Sequence, residues 1–149
     1  MKKVTVGSIL LIQHYRREIY EELTEVIQMK IYESAQNYLE TILMLTNRNG
    51  SCRSVDIANE LGYSKPSVSV AMKNLRENGY IEVMGDGKIT LLEPGRKIAE
   101  NLFERHTLLT KALVMLGVDG DIASEDACKI EHILSDESFE AIRKAVEKR

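Results

Sequence analysis

The 149-residue chain is short of several things, and each shortage closes off a class of protein. It has only two cysteines, Cys52 and Cys128, far apart in sequence. They make no disulfide framework, and a reducing cytoplasm fits. No apolar run approaches the roughly 20 residues that span a bilayer. Met1-Lys-Lys followed by Val4 to Ile12 has the outline of a signal peptide. Its apolar part is short and interrupted, and His14-Tyr-Arg-Arg-Glu18 stands where small residues should precede cleavage, so export is not expected. There is no basic tail and no low-complexity segment, so nucleic-acid binding requires a shaped surface rather than bulk charge. A substrate-sized Gly-rich loop and a paired acid/base set are also missing, which argues against an enzyme.

What is present is an ordinary globular composition, 44% hydrophobic and 29% charged, with a formal net charge of −3. The charge is uneven. Residues 1–50 balance six basic against six acidic, 51–100 seven against seven, and 101–149 carry seven against ten. This length holds one fair-sized domain or two small ones sharing a core.

Residues 1–30 read as an extension, partly helical, with Ile19, Tyr20, Leu23, Val26 and Ile27 forming one apolar stripe. That stripe can pack on the rest of the chain or on a partner, or belong to a frayed arm. Met29 is a second possible start. A second helix is expected from Glu33-Ser34, with Tyr38, Leu39, Ile42, Leu43 and Leu45 inward, ending at Asn47-Arg-Asn-Gly50. Tyr32 and Tyr38 are expected in helix packing and His14 at the surface.

Residues 53–92 are the best defined. Ser54 is expected to cap a short helix over 55–61, with Ile57 and Leu61 inward and Gly62 closing it. After a three-residue turn, Ser64 caps a second helix with Pro66 in its first turn, where a missing N–H costs nothing. Val68, Ala71, Met72 and Leu75 recur on its inner face, and Asn78-Gly79 ends it. Two β-prone runs, 80–84 and 88–92, then flank Gly85-Asp-Gly87 as a hairpin. A helix-turn-helix followed at once by a hairpin is a winged helix. The outer face of the second helix carries Lys65, Ser67, Ser69, Lys73, Asn74 and Arg76. Its N-terminal turn, with Ser64, Lys65 and Pro66, offers backbone N–H groups and a positive dipole end to phosphate. Ser67 and Ser69 can reach base edges, Val70 a thymine methyl, and Arg53 and Lys88 phosphate. The plainer reading of this face is a solvated surface.

Pro94-Gly95 open a long helix through Ile98, Leu102, Leu109, Leu113 and Met115 to Leu116-Gly117. Residues 119–124 are expected as a turn, 125–134 as a helix, and Ser135 as the cap of a last helix with Phe139, Ile142 and Val146. So much amphipathic helix behind a winged helix suggests a homodimer, which two-fold DNA sites also require. On the 125–134 helix, Cys128, Glu131 and His132 would share a face. A thiolate, a carboxylate and an imidazole suit a divalent first-row transition metal better than Ca²⁺ or Mg²⁺. The plainer reading is a buried cysteine beside a solvated Glu-His edge.

Four stretches together carry a family resemblance: Asn37-Tyr-Leu-Glu40-Thr-Ile-Leu-Met-Leu, Leu61-Gly-Tyr-Ser-Lys-Pro-Ser-Val-Ser, Arg105-His106-Thr-Leu-Leu, and Ile130-Glu131-His132-Ile-Leu-Ser. Over about residues 32–147 the chain resembles the diphtheria toxin repressor/manganese transport regulator family, in its short form without an SH3-like domain. The resemblance implies a metal-activated transcription factor. It implies a mainly α fold with a small β-hairpin wing: a winged-helix DNA-binding domain over 31–95 and a helical dimerisation and metal-binding domain over 96–149. It also implies ligands. Glu131 and His132 match both branches of the family, and His106 matches a second-site histidine. Glu40 matches the manganese branch and Cys128 the iron branch. Asn37 replaces an aspartate or methionine, and Thr110 and Ser124 replace further iron-branch ligands. The expected primary site is therefore Cys128, Glu131 and His132 with Asn37, and His106 and Glu40 form a second or shared site.

Thiolate softness favours Fe²⁺, with Mn²⁺, Co²⁺, Ni²⁺ or Zn²⁺ as other occupants. The expectation is a cytoplasmic, iron-responsive repressor that binds palindromic double-stranded DNA as a homodimer, with no membrane role. Because the ligands must lose protons, activation should fail as pH falls. A manganese-responsive regulator of the same family is the alternative, as is a winged-helix regulator sensing a small molecule or oxidant through Cys128. A metalloenzyme using the same side chains is a more distant one.

Overall fold

The computed structural model describes residues 6–148, leaving side chains aside for 6–13, 25 and 27–31. The order is α1 (Val6–Asn49), α2 (Ser54–Leu61), α3 (Lys65–Glu77), β1 (Ile81–Val83), β2 (Ile89–Leu91), α4 (Glu93–Met115), α5 (Gly120–Ile130) and α6 (Asp136–Glu147). The chain divides into two compact units, residues 1–34 and 35–149.

In the first unit the sequence expectation needs correcting. The extension and the helix expected from Glu33-Ser34 are one continuous helix. Glu33-Ser34 has the composition of a helix start, but no glycine or proline lies between Ser8 and Asn49 to end what precedes it. The stripe residues Ile19, Tyr20, Leu23 and Val26 are exposed, and so is Tyr32, which therefore does not pack as expected. His14 is at the surface as expected, 3.2 Å from Glu18 one turn on. The side chains of Ile27 and Met29 lie outside the described residues.

The second unit is built on the C-terminal part of α1. Leu39, Ile42 and Leu45 face Cys52, Ile57, Val68, Met72, Leu75, Ile81 and Ile89 in one buried cluster. Tyr38 meets Tyr63 edge-on at 6.0 Å between ring centres, which ties α1 to the turn between α2 and α3. That turn works through Gly62, whose φ of 66° closes α2 in the left-handed region. The α2 cap falls one residue earlier than expected. Arg53 is the N-cap, because the Asp56 carboxylate accepts from its N–H at 2.8 Å and so fixes the helix start. Ser64 caps α3, accepting from Ser67 N–H at 3.3 Å. In the hairpin, Ile81 pairs with Leu91 and Val83 with Ile89. A bridge between Arg53 and Lys88 ties the chain before α2 to the hairpin just behind its tip.

The first turn of α4 comes against the hairpin at Gly95, where a Cβ would collide with the Tyr80 carbonyl. α4 then packs along α5 and α6. Asp119 caps α5, accepting from Asp121 N–H at 3.0 Å and Ile122 N–H at 3.4 Å. The helix therefore begins at Gly120, inside the expected turn, and it ends at Ile130, short of the expected Leu134. The cause of the early end is Arg105 on α4. Its buried guanidinium donates to the carbonyls of Glu131 (3.2 Å) and Leu134 (2.7 Å) and pairs with Asp136, so the chain turns through 131–133. The Phe139 ring carries this cation on one side at 4.9 Å, and Arg143 also lies 4.9 Å from the ring centre. Ser135 caps α6, with Phe139 and Val146 buried.

Candidate metal centre and nucleic-acid interface

Charged side chains are seldom buried without a partner or a metal. Glu40 and Glu131 are buried together in the second unit, at 4% and 1% exposure. Glu40 comes from α1, Glu131 caps the C-terminal end of α5, and His106 reaches in from α4. One ligand atom from each of these three lies within 4.8 Å of the other two. His106 Nδ1 lies 3.0 Å from Glu131 Oε2, and its Nε2 is 3.2 Å from Ser124 Oγ. With the carboxylate accepting, Nδ1 is the donor, and the serine hydroxyl can serve Nε2.

The electrostatics are those of a site suited to a cation. Burial pushes the Glu40 carboxyl up to about 7, and the Glu131 carboxylate adds to the rise while His106 opposes it. The bond to Glu131 raises His106. Burial raises the Cys128 thiol, with Glu131 and Glu40 adding to the effect. Glu40 Oε1 and Glu131 Oε1 are both buried without a hydrogen-bond partner. Two orphaned carboxylate oxygens beside an imidazole fit a divalent first-row ion. The same burial removes the solvated-edge reading of Glu131.

This grouping differs from the one expected. Glu131 is the C-cap of α5, still in helical conformation and three residues on from Cys128, while His132 stands in the turn that follows. Glu131 joins Glu40 and His106, so the residues expected to form a second site converge on a residue of the first. Cys128, half-buried, is outside that convergent set. His132 Nδ1 is 3.0 Å from Gln36 Oε1, and Nε2 is 3.5 Å from Glu131 Oε1. Asn37 is half-buried on α1 and outside the convergent set, its backbone carbonyl accepting from Thr41 at 2.8 Å. Thr110 Oγ1 is buried and unpartnered. Sequence reasoning passed over Gln36 and Arg105. Gln36 lies one helical turn before Glu40, a spacing that places both on one face and was the available signal. Nothing local in the sequence marks Arg105.

Cys52 is fully buried, and burial pushes its thiol to about 12. Thiol redox chemistry needs a thiolate. Neither cysteine has an environment that supplies one, which counts against an oxidant sensor.

The winged helix presents its polar face as expected. Lys65, Pro66, Ser67, Ser69, Val70, Lys73, Asn74 and Arg76 are all exposed on α3. Its N-terminal turn is less open to phosphate than expected. Pro66 has no N–H, Ser67 N–H is taken by Ser64 Oγ, and Val68 N–H bonds Ser64 O, which leaves Lys65 N–H as the first-turn donor. The Ser64 and Ser67 hydroxyls lie 2.8 Å apart. Lys88 stands just behind the wing tip, with Asp86 at 3.2 Å drawing on its charge, and Arg53 is exposed beside it.

No helix among the described residues is long and apolar enough to cross a membrane. Two family models match the chain: the iron dependent repressor N-terminal DNA binding domain over residues 30–89, and the iron dependent repressor metal binding and dimerisation domain over 92–149. The transcriptional regulator MntR of Escherichia coli O157:H7 is 35% identical over 126 residues, covering 85% of this chain and 81% of that protein. The iron-dependent repressor IdeR of Mycobacterium tuberculosis is 28% identical, covering 72% of this chain and 47% of that one. Among solved structures, the manganese regulator SloR matches with a TM-score of 0.68 at 26% identity, covering 77% of this chain and 54% of that one. A manganese-dependent transcriptional repressor in complex with manganese matches with a TM-score of 0.67 at 29% identity, covering 76% and 52%. The chain thus spans about half the length of these two solved proteins. With a winged helix ahead of a buried carboxylate–imidazole centre, and with both family models and a relative of this identity matched, the chain belongs to the iron-dependent repressor family of metal-dependent transcriptional regulators.

Proposed function

We propose that this chain is a cytoplasmic repressor whose affinity for palindromic operator DNA is raised by a divalent first-row metal held by Glu40, His106 and Glu131, with His132, 3.5 Å from Glu131 Oε1, as a further ligand. Residues 31–95 form the DNA-binding half, and 96–149 the sensor and self-association half. The observation that carries the reading is the convergence of Glu40, on the helix that underlies the helix-turn-helix, with His106 and Glu131 from the other half. When bound, the metal supplies positive charge between two buried carboxylates that otherwise repel. Glu40 would give up its proton, and α1 would then be held to the middle of α4 and the C-terminal end of α5. His106 keeps its orientation through Ser124, and Arg105 fixes the backbone from which Glu131 projects. The α3 face and the wing are thereby presented in a narrower set of arrangements. Affinity for metal becomes affinity for DNA through that restriction. Leu109, Leu113, Leu116, Ile130, Ile142 and Val146 line an apolar groove that suits contact with a second copy.

Fe²⁺ is the proposed effector, with Cys128 as an added soft ligand once its thiol ionises. A second reading, Mn²⁺, is favoured by one observation: the convergent donors are two carboxylates and one imidazole, and Cys128 is not among them. Substitution separates the two. Cys128→Ser should lower Fe²⁺ affinity at least tenfold under the first reading and change neither metal under the second. For the function itself, Glu40→Ala and His106→Ala should bind operator DNA selected from a random pool equally with and without metal. Metal-responsive binding that survives in both variants refutes the site.

A further inference from the structure

We propose that Gln36 is a positioning residue of the metal centre: its side-chain carbonyl holds the His132 ring with the proton on Nδ1, so that the Nε2 lone pair faces Glu131. The inference rests on the reading of His132 as a ligand. It concerns a residue that neither the family resemblance nor the convergent set includes.

Three observations lead to it. Gln36 lies on α1 one turn before Glu40, while His132 lies in the turn that Arg105 imposes after α5. The two side chains, 96 residues apart in sequence, meet with Nδ1 3.0 Å from Oε1. An amide oxygen only accepts, so Nδ1 must donate, and the neutral ring is then unprotonated at Nε2. Nε2 in turn lies 3.5 Å from Glu131 Oε1, the same oxygen that is buried without a hydrogen-bond partner. With the ring neutral, two electron-pair donors thus face each other with no proton between them. Atoms bound to one first-row ion at about 2.0–2.2 Å each stand roughly 3–3.5 Å apart. The arrangement therefore suits two ligand atoms of one cation. A partner that fixes the tautomer of a metal-binding histidine from the far side typically changes affinity about 10–100-fold when removed.

The alternative tautomer shows why Gln36 matters. If the proton moved to Nε2, it would be donated to Glu131 Oε1, and both prospective ligand atoms would be consumed by one hydrogen bond. Gln36 prevents this from the DNA-binding half of the molecule, so the residue that prepares His132 belongs to the helix the metal has to secure.

The test compares three forms of the full chain: parent, Gln36→Met, which keeps the bulk and removes the acceptor, and Gln36→Glu, which keeps an acceptor oxygen. Nitrogen NMR of the metal-free protein reports which His132 nitrogen carries the proton, and titration with Mn²⁺ alone, then Fe²⁺ alone under anaerobic conditions, reports affinity. The expected result is an Nδ1–H ring in the parent and Gln36→Glu, a shift toward Nε2–H in Gln36→Met, and an affinity about 10–100-fold lower in Gln36→Met only. If the Gln36→Met ring keeps its Nδ1 proton, or if the variant binds metal as tightly as a metal-binding parent, the inference is overturned while the proposed function stands. A parent that binds neither ion overturns both.

Discussion

The two halves of the regulator handle polar side chains in opposite ways. On α3 the polar residues are exposed, their local needs are met by caps and water, and each contributes a little to a shared surface. In the sensor, two carboxylates are buried with unpaired oxygens, and the fold is left with repulsion that a ligand can relieve. An exposed polar face tolerates substitution residue by residue. A buried and incompletely satisfied cluster does not, and for that reason it can respond to a single ion.

The sharpest way to break this contrast is at Glu40. In the parent, metal at 100 times its Kd should stabilise the fold by about 2.7 kcal/mol. Glu40→Gln should lose that gain. It should also unfold at a higher temperature than the parent when both are metal-free at pH 8, because one of two buried like charges is gone. Thermal unfolding with and without chelator checks both signs. A metal-free Glu40→Gln less stable than the parent would mean the carboxylates are not in conflict.

Arg105 comes next. It makes charge-assisted bonds to two carbonyls, each worth about 1.5–3 kcal/mol, whereas its partner Asp136 is largely exposed and adds little. Arg105→Met should therefore cost about 3–6 kcal/mol in urea unfolding and weaken metal binding, while Asp136→Asn should do neither.

Proton linkage gives a third effect. The Glu40 carboxyl is ordinarily half-ionised near 4.5 and is raised to about 7 in the fold, by burial first and Glu131 second. Between those values the folded state holds more protons than the unfolded one, so this group's contribution to metal-free stability falls as pH rises from 4.5 to 7. Metal affinity should move the other way, rising over the same interval as the proton is lost. Calorimetric titration in buffers of different ionisation enthalpy would count the released protons, and an affinity flat from pH 5.5 to 7.5 would contradict the assignment.

The smallest effects belong to the DNA face. Ser64→Ala should cost about 1 kcal/mol of stability through the lost cap. Lys73→Ala should weaken DNA binding without changing sequence preference, and reduce the salt dependence by about 0.9 in log–log slope if that lysine contacts one phosphate. Neither should alter the response to metal.

The contrast also explains what could be read from the sequence. The winged helix was legible because its signals are local: Gly62 for the left-handed turn, Ser64 and Pro66 for the start of α3, Gly85-Asp-Gly87 for the wing. Glu40, His106 and Glu131 were legible as candidates, but their grouping was not, since it depends on how α1 and α4 pack at the C-terminal end of α5. That end is set by Arg105 reaching 26 and 29 residues along the chain, a tertiary effect with no local signature. The continuity of α1 was obscured by a start signal at Glu33-Ser34 that the chain does not use. The Gln36–His132 contact is another long-range pairing, which helical spacing exposes only on one side.

Linkage between metal and DNA decides the matter most directly. The affinity of the protein for selected operator DNA should be measured in chelator and in saturating Mn²⁺ or Fe²⁺, and the affinity for the same ion measured with and without that DNA. The two ratios should be equal and at least about 10-fold, as reciprocal coupling requires. Operator affinity that is the same in chelator and in saturating metal would contradict a metal-gated switch built on Glu40, His106 and Glu131.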